Sequence, residues 1–434
     1  MVDTARVRLW GRDIGAVTWL SEASIGVFQY TPEFAQSGIQ VSPLAMPLRE
    51  APYEFPTLTG EPFHGLPGML ADSLPDRFGN ALIDAWLAAI GRAPESFTPV
   101  ERLCYIGTRG IGALEYEPAD RDLGNPARAV DIAALVELAN RVLDDRSGLV
   151  GLLDGHDDRR SIEDILRVGT SAGGARAKAV LAWNQATGEF RSGQLPAAAG
   201  FSHWIMKFDG VGNNRDRELA DPEGYGRIEY AYHGMARASG IAMSECRLYE
   251  EGGRAHFLTR RFDRLDGGDK LHMQSLAALR HYDFNQAGAY SYEQAIQAIR
   301  LLGLSMAEIE QQFVRAVFNL ICRNQDDHVK NIAFLMDRGG QWRLSPAFDV
   351  AYSYNPDGEW TSRHQMSVNG KRDGFEIDDL LALAKTGGVK PRRARQLIDK
   401  VVAAADDWPE HASAAGVPEE DIVRIGRAFR TGLR

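Results

Sequence analysis

The sequence predicts an α+β protein in which a small mixed N-terminal domain is followed by a bilobal fold with a mainly helical second lobe. Strand-like segments begin the chain, strands alternate with one or two helices in the middle, and helical periodicity prevails toward the end. We place the domains at residues 1–125, 126–264 and 265–434. The first boundary follows from the polar segment 120–128, whose Pro and Gly residues are typical of a linker.

The N-terminal domain is predicted from short strands and two helices. The segments Arg6–Trp10, Ile14–Leu20 and Val27–Tyr30 are strand-like, and Pro-rich loops follow them. Helical segments then run over Arg77–Ile90 and Pro99–Tyr105. Together these elements indicate a domain with a sheet of its own.

A loop of small residues opens the second domain. It runs over Gly169–Ala179 and leads into the strand-like Val180–Trp183. Glycines allow backbone N–H groups to approach phosphate closely, so the loop is a candidate phosphate cradle. It matches neither G-x-G-x-x-G nor a Walker A motif, so a flexible loop without a ligand is the alternative.

Lys207 is a charged residue inside an apolar strand. In His203–Phe208, three large apolar residues alternate with Ile205 and Lys207, as expected for a strand. A charge in such a place needs a partner. The candidate is Glu229, on the predicted helix Arg227–Ser239 with Gly240 at its C-terminal stop. The alternative is an ordinary exposed Glu.

The third domain is predicted to be mainly helical. A buried helix over Gln312–Ile321 has Phe313 and Val317 on one face and delivers a loop at its end. A rigid helix end is a good position for a catalytic loop. The helical segments of this domain are Tyr292–Leu302, Met306–Cys322, Ile377–Ala384, Pro391–Ala404 and Glu419–Thr431.

Composition excludes several classes of protein. The 44% hydrophobic and 25% charged residues are those of an ordinary globular protein. A formal charge of −10 argues against broad nucleic-acid binding, although the basic segment 390–395 remains a local candidate. The three cysteines are scattered, which suggests neither a disulfide framework nor a zinc site. No long apolar run or signal-peptide core occurs, so we expect a cytoplasmic protein.

The loop after the buried helix has the residue types and spacing that phosphoryl transfer needs. Asp326 and Asn331 match the D-x-x-x-x-N pattern of a protein-kinase catalytic loop, and Asp349 follows where a kinase has its second metal-binding Asp. Carboxylate and amide oxygens suit Mg²⁺. The alternative is that these residues are turn formers after a helix. With the loop, the Lys and the Glu upstream, the pattern favours a bilobal protein-kinase-like fold.

Motifs along nearly the whole chain extend this pattern. They are Leu66–Asp76, the Gly-rich loop, Phe257–Arg264, Lys270–Leu276, Asp326–Asn331 and Phe348–Val350. In their order and number they resemble the HipA family, the toxin serine/threonine kinases of bacterial type II toxin–antitoxin systems. The resemblance implies an enzyme that uses ATP and Mg²⁺ to phosphorylate a protein.

The resemblance also implies a role for each matching residue. Asp326 would be the catalytic base, Asn331 and Asp349 would hold Mg²⁺, and Glu229 would position Lys207. Ser171 in the Gly-rich loop would be autophosphorylated as an off-switch, with the adjacent Thr170 as the alternative. Residues expected to bind ATP are Gly173, Gly174, Ala175, Arg176, Ala177, Lys178, Lys207, Arg260, Arg261, Phe262, His328 and Asp349, with 260–262 meeting adenine through backbone groups.

Partners are implied in the same way. A small helix-turn-helix antitoxin, similar to HipB, would bind the chain and supply most contacts to operator DNA. The protein substrate would be a component of translation, such as an aminoacyl-tRNA synthetase. Two alternatives remain at this point: a small-molecule phosphotransferase acting on an antibiotic or sugar, which shares the same Asp and Asn logic, and a catalytically silent corepressor partner of a helix-turn-helix protein.

Overall fold

The structure is a computed structural model, and it describes residues 2–119, 129–144, 176–193, 199–211 and 224–433. The predicted linker 120–128 and the first part of the predicted Gly-rich loop lie outside the described residues. That part includes Thr170, Ser171, Gly173, Gly174 and Ala175.

The N-terminal region forms an antiparallel sheet in the order β3-β2-β1-β4, with helices packed on it. The strands are β1 (Thr4–Leu9), β2 (Arg12–Leu20), β3 (Ile25–Tyr30) and β4 (Leu114–Glu117), and the helices are α1 (Pro32–Ala35), α2 (Gly68–Ala71), α3 (Arg77–Ala89) and α4 (Pro99–Ile106). Ala5, Val7 and Leu9 of β1 are buried in alternation, as one face of a half-buried strand requires. The predicted strands and helices are observed with ends shifted by at most two residues.

The middle region is built on a second antiparallel sheet, in the order β6-β5-β7-β9-β8, with α6 packed against β8 and β9. Its elements are α5 (Ile132–Asp144), β5 (Lys178–Trp183), β6 (Phe190–Ser192), β7 (Ser202–Lys207), α6 (Tyr225–Ala238), β8 (Cys246–Glu251) and β9 (Arg254–Arg260). β5 begins two residues before its predicted start. Lys178 and Ala179 therefore belong to the strand, not to the Gly-rich loop in which the sequence analysis placed them.

The C-terminal region is mainly helical, as predicted. Its elements are β10 (His272–Ser275), α7 (Leu276–Arg280), β11 (Tyr290–Ser291), α8 (Tyr292–Leu301), α9 (Met306–Ile321), β12 (Ala333–Met336), β13 (Trp342–Leu344), β14 (Met366–Ser367), α10 (Ile377–Thr386), α11 (Pro391–Asp406), α12 (Trp408–Ala414) and α13 (Glu419–Ala428). β10, β12 and β13 form a small antiparallel sheet. Such short strands give little periodicity to recognise.

Two buried clusters join the three regions and so fix the cleft between them. Phe78 and Leu82 of α3 pack in one apolar cluster with Trp204 and Met206 of β7, which ties the N-terminal region to the second sheet. The other cluster joins α6 to the C-terminal helices around Phe318 of α9. Both clusters are fully buried and apolar, so their burial stabilises the arrangement. Within the described ranges, no helix has both the length and the hydropathy needed to cross a bilayer.

Candidate active site

The helix α9 places the candidate catalytic loop. It starts at a capping box in which Glu308 bonds back to Ser305, and its apolar face, including Phe313 and Val317, is buried. The chain leaves the helix through Arg323, which has a φ of 59°. This left-handed residue turns the chain sharply, so Asp326 follows from a rigid support.

Asp326 faces the cleft with a carboxylate that is 41% exposed. Its backbone N–H donates to Ser353 Oγ at 3.0 Å, and its backbone carbonyl accepts from Asn331 Nδ2 at 2.9 Å. The side chain accepts a hydrogen bond from Trp360 Nε1 at 2.8 Å, and His328 Nε2 lies 3.8 Å from the same oxygen. The backbone is thus fixed while the carboxylate stays accessible, as a general base requires.

The neighbouring Asp327 has a different role, because it is buried and fully hydrogen-bonded. It accepts from Tyr292 Oη at 2.7 Å, from His364 Nδ1 at 2.9 Å and from the Gln365 backbone N–H at 2.7 Å. Burial alone would raise the pKa of Asp327, but His364 and the hydrogen bonds lower it below its ordinary value. Asp327 therefore stays ionised and anchors the loop from behind.

Lys207 lies between two carboxylates at the centre of the cleft. Its Nζ is 2.5 Å from Glu229 Oε1 and 2.6 Å from Asp349 Oδ1, so the predicted pairing with Glu229 is observed. Burial alone would lower the pKa of Lys207, but Asp349 and Glu229 together raise it above its ordinary value. The lysine is held as a cation and aimed at the residue expected to bind metal.

Asp349 is strained as well as paired. Its φ of 51° lies in the left-handed region, which non-glycine residues rarely adopt outside sites that hold them there. Burial alone would raise the pKa of Asp349, but Lys207 and Lys178 lower it to about 2. At neutral pH the carboxylate is therefore ionised, which is the form that ligates Mg²⁺.

The described end of the predicted Gly-rich loop shows two different environments. The Arg176 guanidinium lies 3.6 Å above the ring of Tyr225, within the lining of the cleft. Ala177 is buried beside it. Lys178 is 3% exposed, and its Nζ lies 3.6 Å from Asp76 Oδ2 in the N-terminal region. Burial lowers the pKa of Lys178 below its ordinary value.

The predicted adenine segment lies where β9 ends. Arg260 is a surface residue whose side chain pairs with Asp266 at 2.6 Å. The Arg261 side chain is buried and pairs with Asp263 at 2.7 Å, so its guanidinium has a structural task. Phe262 packs its ring 5.8 Å from that of Phe348. All of 260–262 line the cleft, and the backbone N–H groups of Arg260 and Arg261 donate to the carbonyls of Glu245 and His203.

These residues share one cavity of about 1370 Å³. Asp326, His328, Asn331 and Asp349 line it together with Lys207. Its volume exceeds the roughly 300–1,000 Å³ of ordinary small-ligand pockets, which leaves room for more than one bound group. Among the described residues, no group of three or more His, Cys, Asp and Glu is arranged to hold a metal. Asn331 and Asp349 would therefore need ligands from a bound molecule.

Comparison with known proteins identifies the family. The model of the HipA N-terminal domain matches residues 5–117, and that of the HipA-like C-terminal domain matches residues 170–408. The chain belongs to the HipA family. The second match covers more than half of the chain and includes every candidate catalytic and metal-binding residue. The resemblance inferred from the motifs is thus confirmed. No curated protein matches the sequence.

Solved structures bear out the fold. One chain of the Shewanella oneidensis MR-1 complex of HipA, HipB and operator DNA is 18% identical, and the match covers 99% of this chain and 95% of that chain with a TM-score of 0.66. A Helicobacter pylori proinflammatory kinase, CtkA, is 11% identical, covering 54% of this chain and 89% of that chain, with a TM-score of 0.33. The HipA likeness confirms the predicted kinase-like fold class for this HipA-family chain.

Three residues of the site were not found in the sequence analysis. Trp360 donates to Asp326, His364 donates to Asp327, and Asp76 pairs with Lys178. Trp360 and His364 lie in a segment without regular periodicity, and both contacts join residues more than 30 positions apart. Asp76 is the last residue of the motif Leu66–Asp76, but the motif does not indicate its contact with Lys178.

Proposed function

We propose that this HipA-family chain is an ATP- and Mg²⁺-dependent serine/threonine-protein kinase and the toxin of a type II toxin–antitoxin pair. The observation that supports it most is the placement of Lys207 Nζ between Glu229 and Asp349, in the same cavity as Asp326. A kinase needs this lysine–glutamate pair and the metal-binding Asp in place together. A structural ion pair would not need the accessible carboxylate of Asp326 beside it.

The donors fit the group that the family implies. Asn331 uses its amide nitrogen to bond the Asp326 carbonyl, which leaves the amide oxygen as a possible metal ligand, and the carboxylate of Asp349 is ionised. Oxygen ligands of this kind suit Mg²⁺, which completes its shell with phosphates and water. Lys207 supplies the positive charge for phosphate oxygens. The backbone of 260–262 would meet adenine.

Different residues of the chain carry out different parts of the proposed reaction. Bound Mg-ATP would supply the phosphoryl group and the divalent charge. Asp326 orients a Ser or Thr hydroxyl and accepts its proton, because its carboxylate faces the cavity while Ser353 and Asn331 hold its backbone. Lys207 balances negative charge at the phosphates, and Glu229 keeps the ammonium in position. By the family resemblance, His328, whose Nε2 lies 3.8 Å from Asp326 Oδ1, would face the γ-phosphate.

The proposed kinase would be regulated by autophosphorylation and would bind an antitoxin and a protein substrate. Autophosphorylation of Ser171 would add about −1.5 to −2 charge to a loop that must hold other phosphates, which would switch the kinase off. The HipA, HipB and operator DNA complex is the structural relative that motivates an antitoxin partner here, with DNA bound mainly through that partner. The protein substrate would be a component of translation, such as an aminoacyl-tRNA synthetase.

Phosphate mapping tests the proposal. The purified chain is incubated with Mg-ATP, and the products are mapped by mass spectrometry beside Asp326→Asn. Asp269→Asn is the matched control, because Asp269 is an exposed carboxylate that pairs with Arg338 at the surface. We expect phosphate on Ser171 in the wild type and in the control, and none in Asp326→Asn. Absence of phosphate from all three would favour the small-molecule phosphotransferase or the silent corepressor.

A further inference from the structure

Trp360 makes a contact with the proposed catalytic base that the family pattern did not predict. Its indole Nε1–H donates to Asp326 Oδ1 at 2.8 Å, and both residues line the same cavity. The residue belongs to the segment between Asp349 and β14, 34 positions after the base. A donor on a general base fixes which way its carboxylate points, so the contact bears directly on the transfer step.

The backbone around Trp360 is tied to the catalytic loop itself. Gln365 Nε2 donates to the Trp360 carbonyl at 2.5 Å, and Gln325 Nε2 donates to the Thr361 carbonyl at 3.0 Å. The Gln365 backbone N–H donates to Asp327 Oδ1 at 2.7 Å. Both glutamines are buried. The indole is therefore held by the two neighbours of the base, and we treat it as a fixed part of the loop.

The hydrogen bond distinguishes the two carboxylate oxygens of Asp326. Trp360 engages Oδ1, so the acceptor hydroxyl has Oδ2 available for its proton. Lys207 and Asp349 pair with each other in the same cavity, where we propose that the phosphates bind. Trp360 also lines this cavity, and its indole contacts the carboxylate that an acceptor hydroxyl must reach.

We propose that Trp360 is a positioning residue for Asp326. The inference rests on the proposed kinase function and deepens it. Trp360 holds one rotamer of the Asp326 carboxylate, so that Oδ2 faces the hydroxyl of the entering Ser or Thr. Because Trp360 acts through Asp326, its loss slows phosphate transfer and leaves nucleotide binding unchanged.

The test compares Trp360→Phe with Trp10→Phe. Phe keeps an aromatic ring and removes the N–H. Trp10 loses an equivalent 2.7 Å bond to the Lys270 carbonyl, and neither Trp10 nor Lys270 lines the cavity. Autophosphorylation is followed at saturating Mg-ATP, and nucleotide affinity is measured by calorimetry. We expect about a 10-fold or larger fall in rate for Trp360→Phe, affinity within about twofold, and no change for Trp10→Phe.

Two results would overturn the inference. A rate for Trp360→Phe within twofold of the wild type would remove the positioning role, and a faster rate would make the indole an inhibitory plug. The melting temperatures of Trp360→Phe and Trp10→Phe are measured beside the rates, so that a loss of folded protein is not mistaken for a loss of positioning.

A readout without catalysis separates this inference from the proposed function. The indole N–H signal of Trp360 is identified in a nitrogen-15 spectrum by its absence from Trp360→Phe. We expect it to shift and to exchange faster with water in Asp326→Ala, which has no acceptor. An unchanged signal would disprove the contact. An inactive wild type would overturn the kinase function and the positioning role together. A signal that still shifts in Asp326→Ala would then show that the contact exists although the proposed function does not.

Discussion

Lys178 and Lys207 are directly opposite each other in β5 and β7, yet they serve different regions of the molecule. Their Cα atoms are register partners in the antiparallel pair, and both side chains are largely buried. Like charges opposite each other on a sheet are destabilising unless each finds a partner. Lys207 turns to Glu229 and Asp349, whereas Lys178 turns to Asp76 of the N-terminal region.

The two lysines differ in the direction in which their pKa is shifted. The close carboxylates of Asp349 and Glu229 raise the pKa of Lys207, whereas burial lowers the pKa of Lys178 by more than the carboxylates near it, including Asp76 at 3.6 Å, raise it. The strand position is equivalent, so position alone does not assign the phosphate lysine. We assign it from the two close carboxylates: Lys207 pairs with both, whereas Lys178, which lines the same cavity, pairs with Asp76 at the junction between the N-terminal region and the second sheet.

The largest expected effect comes from Lys207→Met. Phosphate transfer should fall by about 100-fold or more, because the charge facing the phosphates is lost. The free energy of unfolding should fall by about 3 kcal/mol, since Glu229 and Asp349 are left without their buried partner. Rate assays and urea unfolding measure the two effects. A transfer rate within tenfold of the wild type would contradict the assignment.

Lys178→Met should separate stability from activity. It leaves Asp76 buried without its ion pair, so we expect the free energy of unfolding to fall by about 2 kcal/mol. Its effect on nucleotide affinity should be smaller than that of Lys207→Met, because its ammonium is turned toward Asp76. Lys178 was predicted to bind ATP, and this comparison tests that prediction. Equal losses of affinity in the two variants would place both lysines at the phosphates.

The Asp76 carboxyl should give the junction a pH signature. Burial is the main influence, and it raises the pKa of Asp76 to about 6 from its ordinary value of 3.8. The folded chain therefore keeps a proton that the unfolded chain releases, so this group's contribution to the free energy of unfolding is greatest below about pH 4. It should fall by about 3 kcal/mol as the pH rises to about 6.

The matched variant for this pH effect is Asp76→Asn. In the wild type, Asp76 caps α3 by accepting a hydrogen bond from the Gly79 backbone N–H. The side-chain oxygen of Asn can accept the same bond, so the start of the helix is kept. Urea unfolding at a series of pH values should give a flatter dependence between pH 4 and 6 in the variant. Parallel curves for the two proteins would mean that Asp76 titrates at its ordinary pKa in the folded chain.

The smallest effect is expected at the predicted adenine segment. Arg260→Ala removes a surface ion pair with Asp266, whose side chain is 89% exposed, and such pairs contribute less than about 1 kcal/mol. If backbone groups meet adenine, Mg-ATP affinity should stay within about threefold. A larger loss of affinity in calorimetry would show that the Arg260 side chain itself holds the nucleotide.

The sequence predicted the elements that have strong local patterns. The helix over Gln312–Ile321, the strand containing Lys207 and the helix containing Glu229 were all found, and the last two are close enough to pair. Regular burial along one face makes such elements visible in sequence. The start of β5 was placed two residues late, because small residues such as Ala177 and Ala179 do not distinguish a strand from a loop.

Contacts between distant, irregular segments could not be predicted. The bond from Trp360 to Asp326, the bond from His364 to Asp327 and the pair of Lys178 with Asp76 depend on tertiary packing, which one sequence does not reveal. The motifs supplied the residue types of the chemistry. The structure supplied the groups that orient them, and these distinguish the two opposed lysines, both of which line the cavity.

Calorimetric titration of Mg-ATP into the wild type, Lys207→Met and Lys178→Met shows which lysine holds the nucleotide phosphates. The carboxylates around Lys207 make it the phosphate lysine, whereas Lys178 pairs with Asp76 at the junction. We expect binding by the wild type, a loss of at least about tenfold in Lys207→Met and a change of less than about threefold in Lys178→Met. No binding by the wild type, or a loss confined to Lys178→Met, would contradict the account.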